Sequence, residues 1–269
     1  MNDSNSNAER EWDAGAYHRL SEPQFEWGMK VLQRLELRGH ERVLDVGCGS
    51  GRLTAELRER LPRGVVVAMD RSSNMVVAAR ATLAGRFPDR CHVVNAEAQS
   101  LPFQAAFQVI FSTATFHWIT DHVKLFRSIF AALAPGGRLH AQCGGGRNLA
   151  ELHARAGALK ESPEFARFFD AWRDPWEFAD DVTTATRLGA SGFSNVSTSL
   201  EHAPTAFRNA ATYKEFITKV VLRPYLLLLP DDALRDRFIT YLTEQAAADT
   251  PAYTLDYWRL NLAASRPQA

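Results

Sequence analysis

The stretch Val43-Leu44-Asp45-Val46-Gly47-Cys48-Gly49-Ser50-Gly51 constrains this chain more than any other. A run of branched apolar residues ending in alternating glycines reads as a β-strand that breaks into a tight turn. Residues 52–61, with Leu53, Leu57 and Leu61 on one stripe, read as the helix that follows. Glycines at such a junction let a ligand approach the backbone with no Cβ in the way. The alternation then continues. Val65–Asp70 is mostly apolar and rich in β-branched residues, as a strand covered on both faces should be. Ser72 and Ser73 can cap a helix whose Met75, Val76, Ala79 and Leu83 share a face. Cys91–Asn95 and residues 107–112 are two further strands. Asp121 can start a helix with Val123, Phe126, Ile129, Phe130 and Leu133 inward, stopped by Pro135-Gly136-Gly137, and 138–143 is the next strand. Strands separated by helices imply right-handed crossovers and a doubly wound α/β sheet.

The pattern changes beyond residue 147. Residues 149–171 and 207–248 are mainly helical, 182–193 reads as a helix and 195–201 as a strand, and 253–264 alternates like another strand. The expectation is one sheet domain carrying a helical cap. Nothing in the composition opposes a packed core: 46% of the 269 residues are hydrophobic. With 31 Lys+Arg against 31 Asp+Glu there is no global field to grip nucleic acid or an anionic bilayer, and apolar runs such as Tyr225 to Leu229 are far too short to span a membrane. The polar, acidic opening does not read as a secretory signal, and the three cysteines form no CxxC pair, so a cytoplasmic protein with reduced thiols is expected. No HExxH occurs, and His117 and His122 are wrongly spaced to share a helical face, so no metal site is expected.

The spacing Gly-x-Gly-x-Gly, with Arg52 where a dinucleotide fingerprint wants a small residue, argues against a pyrophosphate ligand. Asp45, one residue short of the strand's end, would repel phosphate and attract a ligand carrying an amino group. Asp70 ends the second strand, where a carboxylate can accept hydrogen bonds from both hydroxyls of a ribose. Met75 could lay a thioether on a purine face. Glu97 and the Ala98 N–H, after the third strand, are placed for an exocyclic amine and a ring nitrogen.

Residues 42–143 resemble the core of class I S-adenosylmethionine-dependent methyltransferases through VLDVGCGSG, AMDRSSNMVVAAR, the EAQSLPF loop and the ALAPGGRL turn. The resemblance implies S-adenosyl-L-methionine as cofactor and a Rossmann-like seven-stranded sheet whose last, antiparallel strand is 253–264. It implies Gly47, Gly49, Gly51, Asp45, Asp70, Arg71, Met75, Glu97, Ala98 and Ser112 as cofactor contacts. It further implies an N-terminal helical lid over residues 1–40, with Tyr17 touching the cofactor, ahead of a methyltransferase domain at 41–269 with cap insertions at about 147–178 and 205–250. The Trp12…Tyr17 opening, FHWITDHVKLFRSI, DPWEF, RPYLLLLPDDALRDRFITYL and WRLNLAASRP are similar to trans-aconitate methyltransferases and their relatives, which esterify a carboxylate. On that footing the acceptor is a small carboxylic acid, with His117 and Trp118 positioning it. Alternatives are a carrier-protein thioester acid, a hydroxyl or carbon of a secondary metabolite, or a module that binds the cofactor without transfer. Arg147, Arg155, Lys219 and Arg223 are the available counter-charges in the cap. Cys48, inside the glycine loop, is expected to pack rather than react. The oligomeric state is not legible.

Overall fold

The computed structural model describes residues 11–268, apart from the side chains of residues 16–18. After helices α1 (Ala14–Leu20) and α2 (Glu22–Arg34), the chain alternates β1 (Arg42–Val46), α3 (Arg52–Glu59), β2 (Val65–Asp70), α4 (Ser73–Ala84), β3 (Cys91–Asn95), β4 (Phe107–Thr113), α5 (His122–Ala132) and β5 (Leu133–Gly144). Helix α6 (Ala150–Lys160) and helix α7 (Asp181–Ala190) lead to β6 (Ser194–His202) and the short β7 (Thr205–Ala206). Next come α8 (Ala210–Phe216), a π-helical turn at Ile217–Val221, α9 (Arg223–Leu228) and α10 (Asp232–Ala246). The described chain closes with β8 (Thr254–Leu255) and β9 (Trp258–Ser265).

Seven strands form one sheet in the order β3-β2-β1-β4-β5-β9-β6. The first five are mutually parallel, and β9 runs antiparallel to β5 with Arg138 opposite Ser265 and Gly144 opposite Arg259. The expected seven-stranded, doubly wound sheet is therefore present. Strand alternation assigns its two cores. Leu44, Val46, Ile110 and Leu139 face Phe126, Ile129 and Leu188, while Val43, Val109 and Phe111 face Leu32, Leu57 and Leu61. Strand order reverses between β1 and β4, the point at which an open α/β sheet leaves a crevice beyond its strand ends.

Three boundaries differ from the sequence reading. Residue Val123 is 40% exposed; the buried stripe on α5 is His122, Leu125, Phe126 and Ile129, because the Asp121 side chain caps the helix at the Lys124 N–H and turns residue 122 inward. Strand β5 starts at Leu133, and Pro135-Gly136-Gly137 forms an irregularity inside it rather than a stop, shifting the register between Leu133 and Arg138. The last alternating stretch is two strands, separated where the Asp256 carbonyl and carboxylate take the N–H groups of Leu149 and Glu151 instead of joining a ladder.

Two compact units divide the chain. The sheet occupies most of one, formed by the described residues 11–146, 176–201 and 259–268. The other comprises Arg147–Pro175 and His202–Trp258. In its described part, Phe165 meets Phe238 edge-on, Trp172 stacks on Tyr225 with centroids 4.3 Å apart, and Arg155 pairs through two nitrogens with the Asp249 carboxylate.

Glu41 fixes the entry into β1. Its buried carboxylate accepts from the N–H groups of Arg38, Gly39 and His40 at 2.6, 2.9 and 3.1 Å. Burial opposes its ionisation, but these donors outweigh burial and hold the carboxyl below the usual glutamate range. A depressed carboxylate adds stability above its unfolded pKa and loses it as pH falls through the folded value. Glu41→Ala should therefore cost about 2–3 kcal/mol in urea unfolding at pH 7, and the gap to wild type should narrow below pH 4.

Candidate functional site

At the end of β1 the chain turns through Gly47, Cys48 and Gly49, with φ of +75° at Gly47 and +53° at Gly49, a left-handed conformation that favours glycine. Gly47 has a second reason to lack a side chain, since a Cβ there would lie 2.0 Å from Thr115 Oγ1. The turn is held by its own N–H groups. Gly47 and Cys48 both donate to the Met69 carbonyl, at 2.8 and 2.9 Å, and Gly49 donates to Asp70 Oδ2 at 3.0 Å. The other Asp70 oxygen, Oδ1, accepts from the Ser72 N–H at 2.9 Å, so one carboxylate braces both the glycine turn and the entry to α4.

These bonds decide what the loop can bind. A pyrophosphate cradle needs backbone donors aimed at the ligand. Here the N–H groups of three successive loop residues are spent on Met69 and Asp70, and the group facing the ligand is a carboxylate.

A crevice lies against this turn. Gly47, Gly49, Asp70, Arg71, Met75, Glu97, Ala98 and Trp118 all line it, so eight of the expected site residues are brought together. Val46, Met69, Trp12, Thr113, Ala114, Thr115 and Ile119 complete its walls. Burial raises the Asp70 carboxyl above its ordinary pKa, against the Ser72 and Gly49 donors. An ammonium or sulfonium entering the crevice would relieve that cost, and ribose hydroxyls would donate to Asp70.

Four expected contacts lie elsewhere. Asp45 is 3% exposed and does not line the crevice; its Oδ2 accepts from the Thr54 hydroxyl at 2.6 Å behind the loop. Burial, countered by Thr54 and reinforced by the Asp70 charge, pushes its pKa up to about 7. Attraction of a ligand amine by direct contact with Asp45 is thus corrected: strand alternation turns this side chain toward α3. Gly51 lies at the N-cap of α3, where a Cβ would come within 3.1 Å of the Ala79 Cα, so it serves helix packing. Buried Ser112 donates to the Val46 carbonyl at 2.7 Å and joins β4 to β1. His117 is not on the crevice wall; its ring stacks on Phe178 at 5.8 Å. Tyr17 lies outside the described side chains.

Sequence reasoning missed Glu11 and undervalued Trp12. The Glu11 carboxylate accepts from the N–H groups of Ser73 and Asn74 at 3.0 and 2.9 Å and from the Ser72 hydroxyl at 3.0 Å. A negative side chain thus caps the positive end of α4 from 61 residues away. The strap puts Trp12 into the crevice, edge-on to Trp118 with ring centroids 5.1 Å apart. No local spacing announces such a long-range cap. Cys48 is buried and its pKa is raised well above the ordinary range by burial, so it packs, as expected. Among the described residues no cluster of three His, Cys, Asp or Glu is arranged to hold a metal ion. No described helix is long and apolar enough to cross a membrane.

Comparison with known proteins agrees with this geometry. Residues 43–137 match the methyltransferase domain family. The chain is 28% identical over 235 residues to a trans-aconitate 2-methyltransferase of Variovorax paradoxus, covering 82% of this chain and 84% of that one. A trans-aconitate 2-methyltransferase of Shigella flexneri is 33% identical over 132 residues, about half of either chain. In fold, the chain resembles a Haemonchus contortus phosphoethanolamine N-methyltransferase 2 solved with phosphomonomethylethanolamine and S-adenosylhomocysteine (TM-score 0.62, 19% identity, 95% of this chain and 57% of that one). The domain match, the curated relatives and the solved neighbours all indicate a class I S-adenosylmethionine-dependent methyltransferase. Within that class its curated relatives include trans-aconitate 2-methyltransferases.

Two measurements check the site. Asp70→Ala should weaken S-adenosylhomocysteine binding about ten- to a hundredfold in calorimetry, the worth of hydrogen bonds to a charged group; unchanged affinity would reduce Asp70 to a loop brace. Glu11→Ala should weaken the same binding by several fold by releasing Trp12, while β1–β5 keep their hydrogen-exchange protection.

Proposed function

We propose that this methyltransferase acts on an oxygen of a small-molecule carboxylate, with Asp70, Glu97, Ala98, Met75 and Arg71 holding the cofactor and Trp118 facing the methyl-transfer end. What S-adenosylmethionine supplies when bound is an electrophilic methyl on a sulfonium. The residues of the chain have only to hold, orient and keep water out, and alignment of this kind can supply about 7–11 kcal/mol.

The observation carrying the carboxylate reading is that no histidine is among the described residues lining the crevice, and His117, off that wall, is not set up as a base at Nε2. Its Nδ1 accepts from the Gly144 N–H at 3.3 Å, which leaves the proton of the neutral ring on Nε2. A ring in that tautomer donates a hydrogen bond at Nε2 and cannot take a proton there. The crevice itself contributes Asp70, Arg71 and Glu97 as its only titratable lining groups among the described residues, and no histidine. An ionised carboxylate needs no general base at neutral pH, whereas a hydroxyl acceptor does. The names of the curated relatives support the same substrate class. Acceptor choice is assigned to the inserted stretches 147–178 and 205–250. Arg155 in these stretches pairs with Asp249; Arg147, Lys219 and Arg223 are further cations whose substitution tests acceptor binding.

Incubation with methyl-labelled S-adenosylmethionine and a panel of di- and tricarboxylic acids, trans-aconitate included, should yield label released by mild alkali, as a methyl ester requires. With saturating cofactor the rate should vary less than threefold from pH 6.5 to 8.5. Alkali-stable label, or a rate rising about tenfold per pH unit, would assign a hydroxyl, nitrogen or carbon acceptor instead.

A further inference from the structure

The turn that carries Trp118 is held by side chains far from the cofactor crevice. Residues Phe116–Trp118 form a single 3-10 turn after β4, closed by Trp118 N–H to the Thr115 carbonyl and Ile119 N–H to the Phe116 carbonyl. So short an element has little stability of its own.

Three polar side chains tie it down. His122, 3% exposed at the first turn of α5, has Nε2 3.0 Å from the Phe116 carbonyl. A carbonyl can only accept, so Nε2 carries the proton and Nδ1 presents a lone pair. Arg187 on α7 fits that lone pair, with Nη1 3.3 Å from His122 Nδ1. The same nitrogen donates to Glu177 Oε1 at 2.8 Å. The Glu177 N–H in turn bonds the His117 carbonyl at 3.0 Å, returning the chain of contacts to the turn it started from. Neighbouring rings follow the same frame: Trp176 lies 5.6 Å from Trp118, and Phe178 stacks on His117.

We propose that His122, Arg187 and Glu177 are positioning residues for methyl transfer, a closed relay that fixes the Phe116–Trp118 turn, and with it Trp118 at the crevice wall, without touching cofactor or acceptor. Removing the Arg187 side chain opens the relay at its centre, because Arg187 bridges His122, which holds the Phe116 carbonyl, and Glu177, whose main-chain N–H holds the His117 carbonyl. The proposal rests on the reading of Trp118 as facing the transfer end of the crevice.

The relay also makes the turn sensitive to acid. The groups facing His122 are Arg187 from α7, Glu177 from the segment before it and Asp121 at the cap of α5. Burial, aided by the Arg187 charge and opposed by the Phe116 bond, Glu177 and Asp121, holds the His122 pKa below its ordinary value. A proton on Nδ1 would point at the guanidinium and break the contact. The neutral form is favoured in the fold, so the relay is intact at neutral pH and is lost as pH falls through the folded pKa. Removing Arg187 takes away one of the two influences that lower that pKa, so the loss should then begin at higher pH.

Hydrogen exchange on the full chain with S-adenosylhomocysteine tests this without needing the acceptor. In Arg187→Met the amides of Trp118 and Ile119 should exchange at least tenfold faster, while those of β4 stay within threefold of wild type. The pH at which protection of the turn is lost should rise. His122→Gln, which keeps an N–H for the Phe116 carbonyl, should retain more protection than His122→Leu. Unchanged exchange at residues 118 and 119 in Arg187→Met, or loss spread equally over β4, would overturn the relay. Turnover on trans-aconitate in Arg187→Met should drop at least tenfold, with S-adenosylhomocysteine affinity held within threefold; a fall in affinity alone would contradict a positioning role. If wild-type protein leaves trans-aconitate unmethylated, that acceptor is excluded while the exchange result still decides the relay.

Discussion

Everything at the ligand end of this fold depends on where the N–H groups of the glycine turn go. Gly47 and Cys48 donate to Met69, and Gly49 donates to Asp70, so the turn is closed against phosphate and the carboxylate is left on the ligand's side. A glycine-rich loop of the same general appearance can serve a dinucleotide only when those donors point outward. Here the second strand captures them. The brace also explains why Asp70 stands at the end of β2 rather than inside it. From that position a single side chain reaches Gly49, Ser72 and the crevice at once.

Much of the fold was legible because local and global preferences agree. The β1 to β5 text alternates strand and helix patterns cleanly, and Ser72, Asp121 and the Met75-Val76-Ala79-Leu83 face behave as their spacing requires. What escaped was set by partners distant in sequence. Val123 carries the right chemistry for a core position, but the cap geometry at Asp121 rotates the stripe by one residue. Pro135-Gly136-Gly137 has the composition of a stop, yet the paired neighbours on β4 and the Arg266 segment keep it within an irregular strand. In the site, the residues that follow strand ends line the crevice. Asp45, Gly51 and Ser112 were assigned to the ligand because they share those strand ends, whereas their side chains or packing roles point to Thr54, Ala79 and Val46. Glu11 could not be found at all, since the helix it caps begins more than sixty residues later.

The chemistry asked of this architecture is modest in kind and strict in geometry. The proposed carboxylate acceptor would arrive already ionised, so the barrier would be lowered by alignment and desolvation rather than by proton transfer. That matches a crevice walled by Trp118 and small residues at and after the end of β4, with no histidine among its described lining residues. It also places a premium on the short turn after β4, which is why a relay of His122, Arg187 and Glu177 spent on holding Phe116 to Trp118 is physically sensible.

A crystal of the full chain grown with S-adenosylhomocysteine tests the central claim most directly. Ordered nucleoside should lie in the crevice with both ribose hydroxyls on Asp70, the base against Ala98 and Glu97, and the sulfur end toward Trp118. A crevice without ligand at saturating concentration, or a ligand whose hydroxyls avoid Asp70, would contradict it.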